Sequence, residues 1–570
     1  MALRTATASC QSEYSEYKEK AVVKPIKETY PLFLHQLCGA LVVCAVALFC
    51  ASLAAQPLTV PRPKQVQASP LAEAARQGDR QAVQALLRQE LDVNGLGRDG
   101  SPALHWAVRV NDQELVDLLL DAGALVNGVN RYGQAPLHVA LQSRHTNMAR
   151  RLLEVGADVE QADLSGEPPL LLATQLGDPD MVEVLLEAGA QVEARDLNFG
   201  QTALMLAVRK EHAALVQRFL AAGADVNAQS LAGEVQRNAM PSEVPVGTSQ
   251  GVGINRSGLP DRGMRYPITG MKTPLLFATR QGSFELTRTL VEAGADIETA
   301  DANGITPLIN AILNHSIVNA NRSGQSDHLK IAQYLIEAGA NVNAQDWYGQ
   351  TPLWATVDMR NLEFEVTETT NRVDREGAYA LIESLLAAGA DPNPRTKEFP
   401  PERRFIAGTG SNGWVDMTGQ TPFLRASVAG DLRVLQLLLD FGADPNITTF
   451  NGTNALMLAA GITWAVAETY DEGTDALLET VKLAHSLGND INAVNSIGLR
   501  AIHGAANRGS NDIISYLAEN GAFLDVADNE GRTAINWAEG ELTGARAPTR
   551  KPETIILLQE LQGSGALRQD

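Results

Sequence analysis

Arginine and aromatic residues, which could form a binding surface, are concentrated in two stretches of the sequence. The first, residues 231–271, includes NRSGLPDRGMRYP, and the second, residues 395–417, reads RTKEFPPERRFIAGTGSNGWVDM. The candidate contact residues in them are Arg256, Arg262, Arg265, Tyr266, Phe399, Arg403, Arg404, Phe405 and Trp414. Arginine and aromatic side chains dominate the energetic centres of protein interfaces, because they combine a large contact area with a polar group. These stretches therefore predict non-covalent binding of a protein partner.

The charge of the two stretches differs from that of the whole chain. Each contains four Lys/Arg against three acidic residues, whereas the chain of 570 residues has a net charge of −21. Binding to nucleic acid depends on clustered Lys and Arg that neutralise phosphates. The acidic balance therefore argues against nucleic acid as a partner, and it favours a solvated surface or a basic partner.

Motifs that carry catalysis, cofactors or metals are not found in the sequence. It contains no Walker loop, no HExxH motif and no GxSxG motif placed between a strand and a helix. All four cysteines lie within the first 50 residues, so the rest of the chain has no thiol nucleophile and no cysteine zinc site. We predict a protein that is not an enzyme and has no catalytic, cofactor or metal site. A catalytic site assembled beneath long insertions is the alternative.

A motif of eight residues recurs along the chain and sets the spacing of its elements. It reads GSPALHWA from Gly100, GQAPLHVA from Gly133, GQTALMLA from Gly200 and GQTPLWAT from Gly349. Its leucine position is occupied by Leu71, Leu104, Leu137, Leu170, Leu204, Leu275, Leu308, Leu353, Phe423, Leu456, Ile502 and Ile535. Most steps between these positions are 33 or 34 residues, and the longer steps mark insertions. The pattern predicts twelve repeated units.

The motif and its period resemble the ankyrin repeat, a unit of 33 residues with a TPLHxA signature. The resemblance covers residues 69–563 and implies an all-α solenoid of about twelve helix–turn–helix units with short β-turn fingers. The residue types support it, because Thr can cap the first helix of a unit, Pro suits its first position and Gly ends the second helix. We expect the stacked units to share one continuous hydrophobic core.

Three histidines occupy the fourth position of the signature: His105, His138 and His503. An imidazole can donate one hydrogen bond and accept another. We predict that these histidines are structural and tie adjacent loops together, rather than bind a metal.

Five insertions interrupt the regular period. The distances between each motif leucine and the glycine that ends the second helix place two of them in fingers, at about 231–271 and 395–417. The others, at about 315–327, 358–375 and 462–475, fall between the two helices of a unit. The enlarged fingers are three units apart, roughly 30 Å at about 10 Å per packed helix. They contact a partner, fold back onto the solenoid, or do both.

Ordinary fingers also carry aromatic residues near their tips, namely Tyr132, Phe199, Trp347 and Tyr348. Ankyrin-repeat proteins commonly bind partners through finger tips and inner helices, so the resemblance implies that these residues are candidate contacts. Trp347 and Tyr348 are the strongest of them, because they lie between the two enlarged fingers.

The N-terminal region contains an apolar run that could enter a membrane. Residues 37–55, LCGALVVCAVALFCASLAA, include no charged residue; a polar segment, 1–36, precedes them and a proline-containing linker, 56–68, follows. We predict a cleaved signal or a membrane-anchor helix, and the excess of lysine before the run places the repeats outside the cytoplasm. A buried soluble helix is the alternative.

Together these patterns lead to one hypothesis about function. The chain is an exported or membrane-anchored ankyrin-repeat scaffold, residues 69–563 with a tail of 564–570, that binds a protein partner through its concave face and two enlarged fingers. Only the N-terminal helix would contact a membrane. The alternatives are an envelope structural protein without a discrete partner, and a cytoplasmic adaptor if the apolar run does not insert.

Overall fold

Seven segments of the chain are described in the computed structural model: residues 68–233, 270–318, 327–361, 374–397, 418–462, 472–540 and 550–565. The apolar run at residues 37–55 and most of each predicted insertion lie outside them. Within these segments, no helix combines the length and the apolar character that crossing a bilayer requires.

The described residues form twenty-four helices in twelve consecutive pairs, which confirms the predicted all-α fold. We number the units 1–12 and their helices α1–α24. The first helices of the units are α1 Pro70–Arg76, α3 Ala103–Arg109, α5 Pro136–Gln142, α7 Pro169–Leu176, α9 Ala203–Arg209, α11 Pro274–Gln281, α13 Pro307–Val318, α15 Pro352–Arg360, α17 Pro422–Ala429, α19 Ala455–Ala459, α21 Ala501–Arg508 and α23 Ala534–Glu539. The second helices are α2 Arg80–Leu87, α4 Gln113–Asp121, α6 Thr146–Glu154, α8 Pro179–Glu187, α10 Ala213–Ala221, α12 Phe284–Glu292, α14 His328–Glu337, α16 Arg375–Ala387, α18 Leu432–Asp440, α20 Thr474–Ser486, α22 Asn511–Glu519 and α24 Pro552–Gly565.

The repeated motif forms the first helix of a unit for local reasons. Thr273, Thr351 and Thr421 each accept a hydrogen bond from the backbone N–H three residues on, at 3.2 Å. A proline follows each of them at the first helical position, where no N–H is needed. Most second helices are followed by a glycine with positive φ, such as Gly156 at 95°, which other residues rarely adopt. The predicted caps are confirmed, and each threonine cap contributes about 1 kcal/mol.

Consecutive fingers are joined by backbone hydrogen bonds near their tips. Leu231 N donates to Phe199 O at 2.8 Å, and Trp347 N donates to Asn303 O at 2.8 Å. First helices stack on first helices of neighbouring units, and most second helices stack likewise. Because both the helices and the fingers contact the next unit, each finger tip has a defined position relative to its neighbour.

The buried apolar residues form two clusters, one from units 1–6 and one from units 7–12. Between them, the buried side chain of Asn310 donates to Leu276 O at 2.7 Å and to Thr279 Oγ1 at 2.9 Å. Val291 and Ile297 contact both clusters. The core is therefore divided into two clusters that Val291 and Ile297 connect, and the buried polar side chain of Asn310 lies between the first helices of units 6 and 7.

The histidines of the signature are buried and form hydrogen bonds. His105 Nε2 lies 2.7 Å from Gln134 O, and His503 Nε2 lies 3.1 Å from Val526 O; both carbonyls belong to the following finger. His138 instead accepts a hydrogen bond from the backbone at the start of its own helix. The structural role is confirmed, and two of the three connect adjacent units as predicted. The described segments contain no group of three or more His, Cys, Asp or Glu arranged to hold a metal ion.

These buried histidines should make the protein less stable in mild acid. Burial lowers the pKa of His105, His138, His328 and His503 below the usual 6.5. The unfolded chain then takes up protons first as the pH falls below 6.5, so their contribution to stability is complete above that pH and is lost below it. We expect the free energy of unfolding in urea to decline between pH 6.5 and about pH 5. Replacing His105 and His503 with glutamine should reduce the slope; an unchanged slope would contradict this origin.

Candidate protein-binding surface

Large apolar side chains are exposed at the tips of several fingers. We call the following set the finger row: Tyr132, Leu164, Leu197, Phe199, Leu231, Trp347 and Phe450, which are between 47% and 77% exposed. Single exposed apolar residues are ordinary on protein surfaces, whereas neighbouring ones indicate an interaction site. Leu164, Leu197 and Leu231 belong to three consecutive fingers, so this part of the finger row presents neighbouring apolar side chains to solvent.

The leucines of the finger row were not predicted from the sequence. Leucine ordinarily indicates core, yet Leu164 directly follows Asp163, as Trp347 follows Asp346. Asp163 Oδ1 accepts a hydrogen bond from Ser165 N at 2.8 Å, which closes a turn around the residue between them. Aligning the fingers on this turn-forming residue is the signal that could have identified the leucines.

The two aromatic residues that we predicted as contacts between the enlarged fingers differ in their exposure to solvent. The Trp347 side chain is 47% exposed, whereas Tyr348 is only 4% exposed. Their rings meet edge to face, with centroids 5.1 Å apart. Trp347 is therefore available to a partner and Tyr348 supports it from beneath. The other predicted contacts lie outside the described residues: Arg256, Arg262, Arg265, Tyr266, Phe399, Arg403, Arg404, Phe405 and Trp414.

A small pocket lies between the fingers and the first helices of units 4 and 5. Its volume is about 140 Å³. We call it the unit 4–5 pocket, and it is lined by Ser165, Glu167, Leu171, Gln175, Asp196, Asn198, Phe199, Gln201, Leu206 and Arg209. Leu171 and Leu206 are buried. The exposed ring of Phe199 belongs to both the pocket and the finger row, so the two features are continuous.

Glu167 places a carboxylate in this pocket close to two other carboxylates, those of Asp163 and Asp196. Burial raises its pKa, and the negative charges of Asp163 and Asp196 raise it further. Gln175 Nε2 donates a hydrogen bond to Glu167 Oε1. The carboxylate of Asp196 is fixed in its orientation, because it accepts hydrogen bonds from the backbone N–H groups of its own finger. A cation in the pocket would relieve this repulsion.

Comparison with known families decides what the repeats are. The family model of ankyrin repeats in three copies matches residues 71–163, 160–230, 259–346 and 462–547, and the model of the single ankyrin repeat matches residues 418–450. The chain belongs to the ankyrin repeat family. The assignment based on the eight-residue motif is thereby confirmed.

Individual relatives are similar to part of this chain. Neurogenic locus notch homolog protein 1 of Xenopus laevis is 29% identical over 167 residues, which are 29% of this chain and 6% of that protein. Its Homo sapiens counterpart is 27% identical over 184 residues, which are 30% of this chain and 7% of that protein. The chain thus spans less than a tenth of the length of these relatives. The solved ankyrin repeat domain of Bcl-3 has 23% identity and a TM-score of 0.34, and the match covers 45% of this chain and 95% of that one.

A buried ionic cluster joins ankyrin units 8 and 9 at the edge where the first and second helices connect. Arg360 and Arg375 flank residues 362–373, and each guanidinium donates to the backbone carbonyl of the other arginine. Arg360 Nε also lies 2.7 Å from Asp431 Oδ2, and both of these side chains are at most 3% exposed. The cluster therefore holds together the two ends of the chain that border one helix–helix insertion. The repeat pattern does not predict it, because the paired residues are far apart in sequence.

Proposed function

We propose that this protein is an exported or membrane-anchored scaffold whose ankyrin repeats bind a protein partner through the face of fingers and first helices and through two enlarged fingers. The finger row carries the proposal, because it presents large apolar side chains in consecutive units. The backbone N–H and C=O groups that join neighbouring fingers are already hydrogen-bonded to each other within the array.

The ankyrin array lowers the cost of binding by holding its contacts in place. Backbone hydrogen bonds between fingers hold the tips before a partner arrives, so less ordering entropy is lost on association. The first enlarged finger begins at Leu231 of the finger row, and the second includes Lys397, whose N–H donates to Tyr348 O at 2.7 Å. The arginine and aromatic residues of both enlarged fingers would extend the same surface.

Deleting residues 240–266 should leave the repeats folded and weaken partner binding. The deletion removes Arg256, Arg262, Arg265 and Tyr266 but no described helix. Partners would be captured with the full chain, identified by crosslinking and then titrated against wild type and variant. We expect binding to weaken by about tenfold or more, because arginine and aromatic residues dominate interface energy. Unfolding of the array on deletion would make the segment structural and contradict the proposal.

Two aromatic substitutions provide the matched control for this experiment. Trp347→Ala removes an exposed ring from the finger row, whereas Phe441→Ala removes one after a second helix; the two residues are 47% and 45% exposed. Only the first substitution should weaken binding. Equal effects would show that the fingers are not the contact surface, and no enriched partner with any variant would favour the purely structural alternative.

Export is the second part of the proposal, and the apolar run of residues 37–55 supports it. Cell fractionation combined with N-terminal sequencing of the mature protein tests it. A new N-terminus near residue 55, or recovery of the intact chain in membranes with the repeats accessible from outside, is expected. An intact chain in the cytoplasm would contradict export and favour an intracellular adaptor.

A further inference from the structure

We infer that the unit 4–5 pocket binds a lysine or arginine side chain of an extended partner segment, whose neighbouring apolar side chains pack on Leu164 and Leu197. The inference rests on the proposed function, since it specifies the chemistry of the partner at one part of the same surface.

The size of the pocket selects a single side chain. A cavity of about 140 Å³ is smaller than the roughly 300–1,000 Å³ of typical small-molecule sites. Its lining combines the apolar side chains of Leu171, Leu206 and Phe199 with polar groups that include the carboxylate of Glu167. The side chains of lysine and arginine match this combination, because each has an apolar stem and a charged end.

The charges of the pocket favour a cation. Glu167 and Asp196 contribute two carboxylates, against the single guanidinium of Arg209. Gln175 donates to one oxygen of Glu167, and the other oxygen has no hydrogen-bond partner among the described residues. This oxygen is the acceptor for an incoming ammonium or guanidinium group. The same charges repel phosphates and acidic peptides.

The residues at the mouth of the pocket favour a basic side chain with apolar neighbours. Phe199 is 62% exposed, so its ring is accessible to an approaching cation. A β-carbon at Gly166 would stand 2.9 Å from Leu197 Cβ, so Leu197 lies directly on the preceding finger, which also carries Glu167. Leu164 and Leu197 are 77% and 75% exposed and belong to adjacent fingers.

The spacing of the fingers sets the spacing of the partner residues. Adjacent fingers are about 10 Å apart if they follow helix packing. An extended chain rises about 3.3 Å per residue and turns every second side chain to the same face, so two apolar side chains that flank a basic one on that face are four residues, or about 13 Å, apart. The expected segment therefore carries a basic residue between two apolar residues at that spacing.

Peptide binding to the full chain tests the inference. The probe is a pool of fluorescein-labelled decapeptides, each with two leucines four residues apart and an arginine midway between them, so that all three side chains share one face of the extended peptide. The matched pool carries citrulline, which keeps the shape of arginine but not its charge. Fluorescence anisotropy should show about tenfold weaker binding of the citrulline pool at low salt, and the difference should shrink as salt rises.

Substitutions in the chain identify the site. Glu167→Gln should abolish the preference for arginine over citrulline, whereas Glu519→Gln, an equal charge change at an exposed position of α22 in unit 11, should retain it. Glu167→Gln is not expected to unfold the array, because the charge of this glutamate is disfavoured in the folded state. Circular dichroism and thermal melting would verify the fold.

Three results would overturn the inference. They are equal binding of both pools to wild type, an unchanged preference in Glu167→Gln, and arginine-dependent binding that occurs only after deletion of residues 240–266. The last would mean that the chain's own insertion occupies the pocket. If Trp347→Ala weakens capture of the partner while Glu167→Gln leaves the preference unchanged, the proposed function stands and only this inference fails.

Discussion

Replacing Arg425 with alanine is expected to lower the free energy of unfolding of units 8 and 9 by about 3–5 kcal/mol. Arg425 lies in α17 and is fully buried. Its Nε donates to Asp358 Oδ1 on α15, and its Nη2 donates to Asn361 O at 3.0 Å. Alanine would leave the Asp358 carboxylate buried without the guanidinium that neutralises it. An uncompensated buried charge is far more costly than the loss of an exposed ion pair.

An exposed ion pair between two other units provides the control. Arg150 Nη1 lies 2.9 Å from Glu187 Oε2, and the two side chains are 52% and 54% exposed. Arg150→Ala should cost less than about 1 kcal/mol, because water replaces most of the lost interaction. The double variant Arg425→Met with Asp358→Leu should recover most of the loss, since it removes both buried charges of this pair.

Urea unfolding combined with hydrogen exchange measures this effect. The helix contacts join neighbouring units, and Arg375 of unit 8 reaches no further than Glu472 of unit 10, so exchange protection should fall first in α15 and α17 and remain higher in units 1–6. Similar losses for Arg425→Ala and Arg150→Ala would contradict the argument that burial decides the cost. Failure of the double variant to recover stability would show that the arginine contributes mainly through packing.

Phe219→Ala is the second substitution with a large expected effect, about 3–5 kcal/mol of unfolding free energy. Phe219 lies in α10 of unit 5 and is fully buried in the cluster of units 1–6. Removing its ring takes away the transfer free energy of the side chain and leaves a cavity that the packed helices fill only in part.

Phe199, in the finger that precedes α9, provides the exposed control for the buried Phe219. The same substitution, Phe199→Ala, removes a ring that is 62% exposed and should change stability by less than about 0.5 kcal/mol. It should instead weaken binding of the arginine peptides, because the ring lies at the mouth of the unit 4–5 pocket. Urea unfolding and peptide anisotropy on both variants separate the two roles. A large loss of stability in Phe199→Ala would mean that the finger row supports the fold rather than a partner.

Much of this fold could be predicted because its information is local. Where the motif carries threonine and proline they begin the first helix, a glycine ends most second helices, and all three act on backbone atoms within four residues. Repetition of these signals at one period indicated the number of units. The contacts of His105 and His503 were also predictable, because each reaches only the following finger.

The sequence by itself therefore determined the helices, the number of units and the exposed aromatic residue Trp347. Only the tertiary structure decided that the adjacent Tyr348 is buried, that Arg425 is enclosed with Asp358 as its partner, and that Glu167 faces a pocket shared by two units. The physical reason is the range of the interactions. The backbone conformation of a unit follows from its own residues, whereas the burial and charge of a side chain depend on neighbouring units that lie 30 or more residues away in sequence.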